Sequence, residues 1–344
     1  MVGYRSRPWC RALIGPFRET YVTFPVVQSV LDPVALEKAV GTLYDLGRPL
    51  RCRLVSRSMN DVYHLTAGPQ QFAVKVARAE RSDAVFAFEP AFIDFLDRSG
   101  FAVPTPLLTA DGRMFFAVDA PEGPRQVVVM RWLPGVPLTK AITEDQAHQL
   151  GAWLARIHQA TAAFKPQTRR LVAAEDKLKQ RLPALLEAMG GDRDMAAFLV
   201  RAGEGVAARV TGLDPRVVPR GICHGDFHYA NVMVLPDRAI GVLDFADCGE
   251  DFLAADLAAF FWRADVDGVA DQLVPAFIAG YDTVRRLAPL ERAALPLFRA
   301  ARHLGMAAAF AQHANRVGPI AGFDENRRYY LSMIRLFCAQ AGIT

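Results

Sequence analysis

The period of apolar and polar positions along the chain changes near residue 133. Before that point alternation dominates. Cys52-Arg53-Leu54-Val55, Val62-Tyr63-His64-Leu65 and Phe72-Ala73-Val74-Lys75-Val76 are separated by the polar stretch Ser56–Asp61 and by a turn at Gly68-Pro69. This predicts three short strands in an antiparallel meander. Met114–Val118 and Gln126–Met130 predict two more, with turn-rich residues between them. Two helices interrupt the strands. Pro33–Leu46 begins after a plausible N-cap, Asp32, with proline at the first helical position. Val85–Ser99 is apolar-rich and ends at Gly100. Val103-Pro104-Thr105-Pro106 then forces extended backbone.

Leu133-Pro134-Gly135-Val136-Pro137 reads as a linker, and beyond it the period becomes helical. Helices are predicted over Asp145–Ala163, Glu175–Ala188, Asp194–Val210, Leu253–Trp262, Val269–Tyr281, Leu290–Gln312 and Asn326–Ala341. Among them lies one strand pair, Val232–Leu235 and Ile240–Phe245, turned by Pro236-Asp237-Arg238. The expected fold class is α+β: an arm over residues 1–24, a small antiparallel-sheet lobe over 25–132, and a larger, mostly helical lobe over 133–344. A cleft between two such lobes is a preferred ligand site.

Composition narrows the class. Of the 344 residues 52% are hydrophobic and 22% charged, which excludes a mainly disordered chain. The net charge of +4 comes from interspersed residues with no Lys/Arg block, so nucleic acid is not an expected partner. No apolar run approaches a membrane span. Five widely spaced cysteines without a C-x-x-C pair argue against a disulfide framework or zinc ribbon and point to a reducing, cytoplasmic setting.

The chemistry concentrates between Gly221 and Asp256. His224-Gly225-Asp226-Phe227-His228-Tyr229-Ala230-Asn231 precedes the strand pair, and Leu243-Asp244-Phe245-Ala246-Asp247 follows its return strand. A hairpin folds its arms together, so Asn231 and Asp244 can converge on one point. Two such oxygen ligands suit Mg²⁺, which takes carboxylates together with phosphate oxygens. Asp226 would stand beside the ion, free to orient a hydroxyl and accept its proton. These are the parts of a phosphoryl-transfer site. Lys75 is one of six lysines and sits at the centre of an alternating apolar strand. A charge buried there needs an anionic partner, and the phosphates of ATP would serve.

The spacing H-G-D-x-H-x-x-N, followed by L-D-F-x-D and by Asp256-Leu257-Ala258, resembles the aminoglycoside phosphotransferase/choline kinase family. Homoserine-kinase-like and fructosamine-kinase-like enzymes belong to the same superfamily. The resemblance implies a bilobal protein-kinase-like fold, ATP and Mg²⁺ as cofactors, and a small-molecule hydroxyl as acceptor. Asp226 then matches the catalytic aspartate, Asn231 and Asp244 the metal ligands, and Lys75 the nucleotide-binding lysine. Glu89 matches the helix glutamate that pairs with that lysine, although Pro90 follows directly. Either the helix begins at Pro90 with Glu89 as a cap, or it is kinked there; Glu80 and Asp83 are the fallback partners. The segment 56–61 resembles the phosphate-covering turn but lacks glycine, leaving Ser58, Asn60 and backbone N–H groups to contribute. Val127–Gly135 resembles the strand that offers backbone groups to adenine, through Arg131 and Leu133. His224, Asp247 and Asp256 are expected to support the loops, His228 to do the same or to lie nearer the substrate, and His158 to be a packed scaffold residue.

A Ser/Thr protein kinase of the stress-response type is an alternative on the same fold, and a non-catalytic nucleotide-binding regulator is a second. The motif residues do not identify the acceptor. A polycation would favour an acidic pocket, whereas from Asp251 onward nine Asp/Glu face ten Arg and no Lys. Asp251, Asp265, Asp267 and the Asp324-Glu325 pair are the candidate carboxylates, with surface solvation as their plainer role. Arg-rich helices could instead receive a carboxylate-bearing or phosphorylated substrate.

Overall fold

The computed structural model describes residues 24–57, 60–79, 82–172, 174–318 and 327–343. The first 23 residues of the expected arm lie outside this set, as do Ser58, Glu80 and the Asp324-Glu325 pair.

A helix, α1 (Pro33–Leu43), starts where Asp32 accepts a hydrogen bond from the Val34 N–H at 2.7 Å. Five strands follow: β1 (Leu50–Arg57), β2 (Asp61–Ala67), β3 (Gln70–Val76), β4 (Phe116–Ala120) and β5 (Gly123–Arg131). They form one antiparallel sheet in the order β1-β2-β3-β5-β4. β3 is therefore an interior strand, and Lys75 is opposite Val62 on one side and Val128 on the other. Alternation sends Val74 and Val76 to the sheet face covered by α1, in a core shared with Leu36, Val40 and Tyr63. Lys75 consequently points to the opposite face, where α2 (Asp83–Arg98) packs.

α2 settles the question raised by Pro90. The helix begins at the Ser82 cap and runs through Pro90, so Glu89 is an interior helical residue and not a cap. The proline gives up one backbone hydrogen bond, and its ring is buried with Phe86, Phe88 and Phe92.

The remainder is largely helical: α3 (Glu144–Ala160), α4 (Ala174–Glu187), α5 (Arg193–Thr211), α6 (Leu253–Val266), α7 (Ala270–Val284), α8 (Pro289–Val317) and α9 (Arg327–Gln340). A capping box of Thr143 and Gln146 starts α3. Helices α3 and α7 meet at backbone contact. A Cβ on Gly151 would run into the Phe277 carbonyl, and one on Gly280 into the His148 carbonyl. That approach lets His158, near the end of α3, reach the Tyr281 hydroxyl on α7 at 2.8 Å.

Among the described residues five shorter strands complete the fold. β6 (Val136–Pro137), β8 (Val232–Val234) and β9 (Ile240–Val242) make a small sheet in the order β6-β8-β9. The proline-rich linker is thus partly a strand, tied to the hairpin that carries the 231–244 motif. β7 (Arg220–Cys223) pairs with β10 (Gly249–Phe252), a ribbon the apolar pattern did not signal. Among the described residues no helix is long and apolar enough to cross a membrane.

One buried ion pair braces the five-stranded sheet. The side chains of Arg125 and Asp61 are both 0% exposed and 2.8 Å apart, and Arg125 also donates to the carbonyls of Ala77 and Ser29. Breaking such a pair from one side strands a charge in the interior, at about 3–5 kcal/mol. Arg125→Met should lower the unfolding free energy by about that much in urea titration. Adding Asp61→Asn should cost less than the sum of the two single changes, because the second removes a buried carboxylate that the first leaves with only Arg57, 3.8 Å away.

Candidate active site

Some of the residues singled out in the sequence line a cavity of about 260 Å³, while Asp226, His224, His228, Asp247 and Asp256 are not among its lining residues. Its lining includes Asn60, Lys75, Glu89, Asn231 and Asp244, together with residues 130–133. Lys75 is 5% exposed, and its Nζ is 2.5 Å from Glu89 Oε1 and 3.5 Å from Asp244 Oδ1. Strand, helix and return strand thus meet at one ammonium. Of the fallback partners for Lys75, Asp83 instead accepts from Gln126 at 2.9 Å, and Glu80 is outside the described residues. Asn60 is buried, with an Oδ1 that lacks a partner.

The hairpin brings Asn231 and Asp244 to the same wall. Val232 pairs with Val242, and the Leu243 N–H donates to the Asn231 carbonyl at 2.8 Å. Asn231 Nδ2 donates to the Asp226 carbonyl oxygen at 3.0 Å and to its carboxylate at 3.3 Å. With the amide nitrogen so used, the side-chain oxygen of Asn231 is turned away from Asp226. Asp244 holds a left-handed backbone, φ +57°, and its side chain is 51% exposed. Aspartate tolerates that region better than most residues, and such local strain is concentrated at functional sites. An amide oxygen and an accessible carboxylate form a hard donor set that fits a divalent cation sharing phosphate oxygens.

Asp226 sits in the loop between β7 and β8. Burial alone would raise its carboxyl, but Arg302, then His228 and His224, outweigh that and hold it far below the ordinary carboxylate range. Arg302 on α8 donates to Asp226 Oδ1 and to the Gly225 carbonyl, while His228 Nε2 lies 3.5 Å from Oδ2. Arg302 was missed from the sequence. Its partner lies 76 residues away, and nothing local distinguishes it from the other arginines of α8.

The loop itself hangs from Asp256. This fully buried carboxylate accepts the backbone N–H groups of His224 at 2.6 Å and Gly225 at 2.7 Å, and His158 Nε2 at 3.1 Å. Gly225, at φ +83°, packs against the Asp247 backbone so closely that no side chain would fit. The His224 ring is fixed in turn. Its Nδ1 faces the Asp226 N–H at 3.2 Å and its Nε2 the Leu243 carbonyl at 3.0 Å. Only the neutral tautomer with the proton on Nε2 satisfies both, and burial pushes its pKa down accordingly.

Two expectations change. The Arg131 N–H is already given to the Thr105 carbonyl at 2.8 Å, which leaves that residue's own carbonyl and Leu133 to face a ligand. Of the candidate carboxylates for a polycation, the three that lie among the described residues are not solvated surface groups. Asp265 is 6% exposed and bound by Arg299 and by His303 at 2.8 Å, and Asp267 takes Arg263 and the Tyr229 hydroxyl. Asp251 is likewise buried and accepts the Phe252 N–H at 2.7 Å.

Comparison with known proteins gives a consistent set. The model of the phosphotransferase enzyme family, APH, matches residues 52–290. An uncharacterized protein of Deinococcus radiodurans is 34% identical over 301 residues, covering 86% of this chain and 87% of its own. Homoserine kinase of Sinorhizobium medicae is 28% identical over 246 residues, 69% of this chain and 71% of its own. Among solved structures, amicoumacin kinase hAmiN in complex with AMP-PNP, Ca²⁺ and Ami superposes with a TM-score of 0.73 at 22% identity, covering 88% of this chain and 92% of that one. The last likeness is one of fold: an antiparallel sheet followed by a helical remainder.

The suspension of the loop from Asp256 has a measurable signature. Burial would raise this carboxyl, yet His158, His224 and the two N–H donors hold it below its ordinary range. A folded pKa below the unfolded value of about 3.9 means the stabilisation is complete above that pH and drains away as pH falls through the folded value. Asp256→Asn should therefore lower the thermal midpoint at neutral pH, by about 3–5 kcal/mol in stability. It should also flatten the fall of stability below pH 4 in melting curves taken across pH.

Proposed function

The chain belongs to the phosphotransferase enzyme family, and from that premise we propose that it moves the γ-phosphate of ATP, with Mg²⁺, to a hydroxyl of a small molecule. The observation that carries the reading is one cavity lined by Lys75, Glu89, Asn231 and Asp244, with Asp226 accepting a hydrogen bond from the lining residue Asn231.

In this reading adenine lies against residues 130–133, taking the Arg131 carbonyl and the Leu133 backbone as partners. Lys75, steadied by Glu89, meets the α- and β-phosphates, and Ser58 and Asn60 cover them. The side-chain oxygens of Asn231 and Asp244 would hold Mg²⁺, which when bound neutralises the phosphate charge that builds up during transfer. The match is one of donor chemistry: two oxygen ligands, one with its amide nitrogen already occupied. Asp226 accepts the hydrogen bond of the acceptor hydroxyl and directs its oxygen at the γ-phosphorus. A new O–P bond forms there, the bond from phosphorus to the β–γ bridging oxygen breaks, and ADP leaves. The hydroxyl proton passes through Asp226 to solvent. Because Asp226 is kept ionised, it orients the hydroxyl at every neutral pH, in keeping with a transfer driven by positioning rather than strong basicity. His224, His228, Asp247 and Asp256 support the loops that fix these groups.

Asp226→Asn should reduce ADP release with a hydroxyl acceptor by about 10²–10⁴-fold. Binding of a non-hydrolysable ATP analogue should stay within a few fold of wild type. Unchanged turnover in that variant would remove Asp226 from the reaction. Asn231→Ala should raise the Mg²⁺ concentration needed for half-maximal rate by about tenfold, by deleting one oxygen ligand. A Mg²⁺ titration with an unshifted midpoint would remove Asn231 from the metal.

A further inference from the structure

The helical side of Asp226 carries charge that the phosphotransfer reading does not use. Arg302 is half-buried, its two terminal nitrogens occupied by Asp226 and Gly225, and its Nε is buried without a partner. The guanidinium carbon stands 5.5 Å from the centre of the Trp262 ring, whose own Nε1 is also buried and unpartnered at 5% residue exposure. Both are donor-only groups. A buried donor left without an acceptor costs about 1–3 kcal/mol, which a ligand bringing acceptor oxygens would recover. Of the carboxylates nearby, Asp226 is matched by Arg302, Asp265 by Arg299 and Asp267 by Arg263, while Asp247, Asp251 and Asp256 line a small cavity together with Arg181 and Arg302. A cationic acceptor would thus approach Asp226 past an arginine, with Asp265 and Asp267 already engaged.

We propose that Arg302 selects the acceptor: its guanidinium, with the Trp262 N–H beside it, receives an oxyanion, carboxylate or phosphate, borne by the same molecule whose hydroxyl goes to Asp226. The planar fork suits either anion, and a charge-assisted contact there would both bind the acceptor and aim its alcohol. This rests on the phosphotransfer reading for the hydroxyl end and adds the chemistry of the other end. It also gives Arg302 two duties, to hold Asp226 and to read the substrate.

The test uses the full chain with Mg-ATP and four alcohols of similar length: 4-hydroxybutyrate, 3-hydroxypropyl phosphate, 1,4-butanediol and 4-aminobutan-1-ol. ADP release should favour one or both anionic alcohols over the diol by at least tenfold in kcat/KM, with the amine poorest; which anion leads distinguishes carboxylate from phosphate. Arg302→Gln should lower kcat for all four through the lost hold on Asp226. For the anionic alcohols alone it should also raise KM by about 10–100-fold, the worth of a charged hydrogen bond. Arg302→Lys should restore part of the preference. Circular dichroism melts of both variants establish that they fold. Should either fail, the wild-type preference among the four alcohols decides alone. Preference of the wild type for the amine, or an anion-to-diol ratio untouched by Arg302→Gln, overturns the proposal. Calorimetric titration of the same probes separates it from the underlying reading. Anion binding that depends on Arg302, without phosphate transfer, sinks the phosphotransfer reading alone. Neither transfer to nor binding of an anionic alcohol sinks the selection by Arg302.

Discussion

A carboxylate with no water around it governs this site. Asp256 is out of reach of solvent, so its charge has to be met by donors from the protein itself, and those donors are two consecutive backbone N–H groups and one imidazole. Satisfying them leaves the chain at 224–225 one course, and Asp226 follows directly from it. The demand reaches further. His158 can attend Asp256 only because α3 lies against α7 at glycine-to-carbonyl distance, which also supplies the Tyr281 hydroxyl to the other ring nitrogen. The helical packing and the loop are therefore one structure, tied at a single buried negative charge.

The same logic of matched charge recurs across the molecule. Lys75 is placed by strand alternation on the face away from α1, where carboxylates from α2 and from the segment after β9 meet it. Arg125 is wholly interior and answers Asp61. Around the end of α6, arginines from α6 and α8 take up Asp265 and Asp267. Buried ions are weak sources of net stability but strict about geometry, since any arrangement that separates them leaves a charge in a poor solvent. Their number here favours one relation between sheet, hairpin and helices over its near alternatives.

Much of this was legible in the chain because the informative signals are local. Alternation marked β2 and β3 and so the side of the sheet that Lys75 faces, helical spacing marked α3 to α9, and H-G-D-x-H-x-x-N with L-D-F marked the hairpin. What escaped has physical causes. β7 and β10 are four residues each, and Glu250 and Asp251 break any apolar run. Pro90 argued for a boundary inside α2, but the packing of Phe86, Phe88 and Phe92 around it keeps the helix whole. Asp265 and Asp267 read as surface carboxylates because their arginines belong to other turns or another helix. Arg302 was indistinguishable from its neighbours until α8 was folded against the 224–231 loop.

The two contacts of Lys75 differ in length, and the difference bears on how the cavity opens. The 2.5 Å contact joins β3 to α2, neighbours in the chain that can swing together. The 3.5 Å contact reaches across to Asp244, whose carboxylate is half in water. Widening the mouth of the cavity would therefore part the long contact and spare the short one, so the interior never holds a naked ammonium. A ligand entering the cavity would do so at one wet seam while the dry pair stays closed.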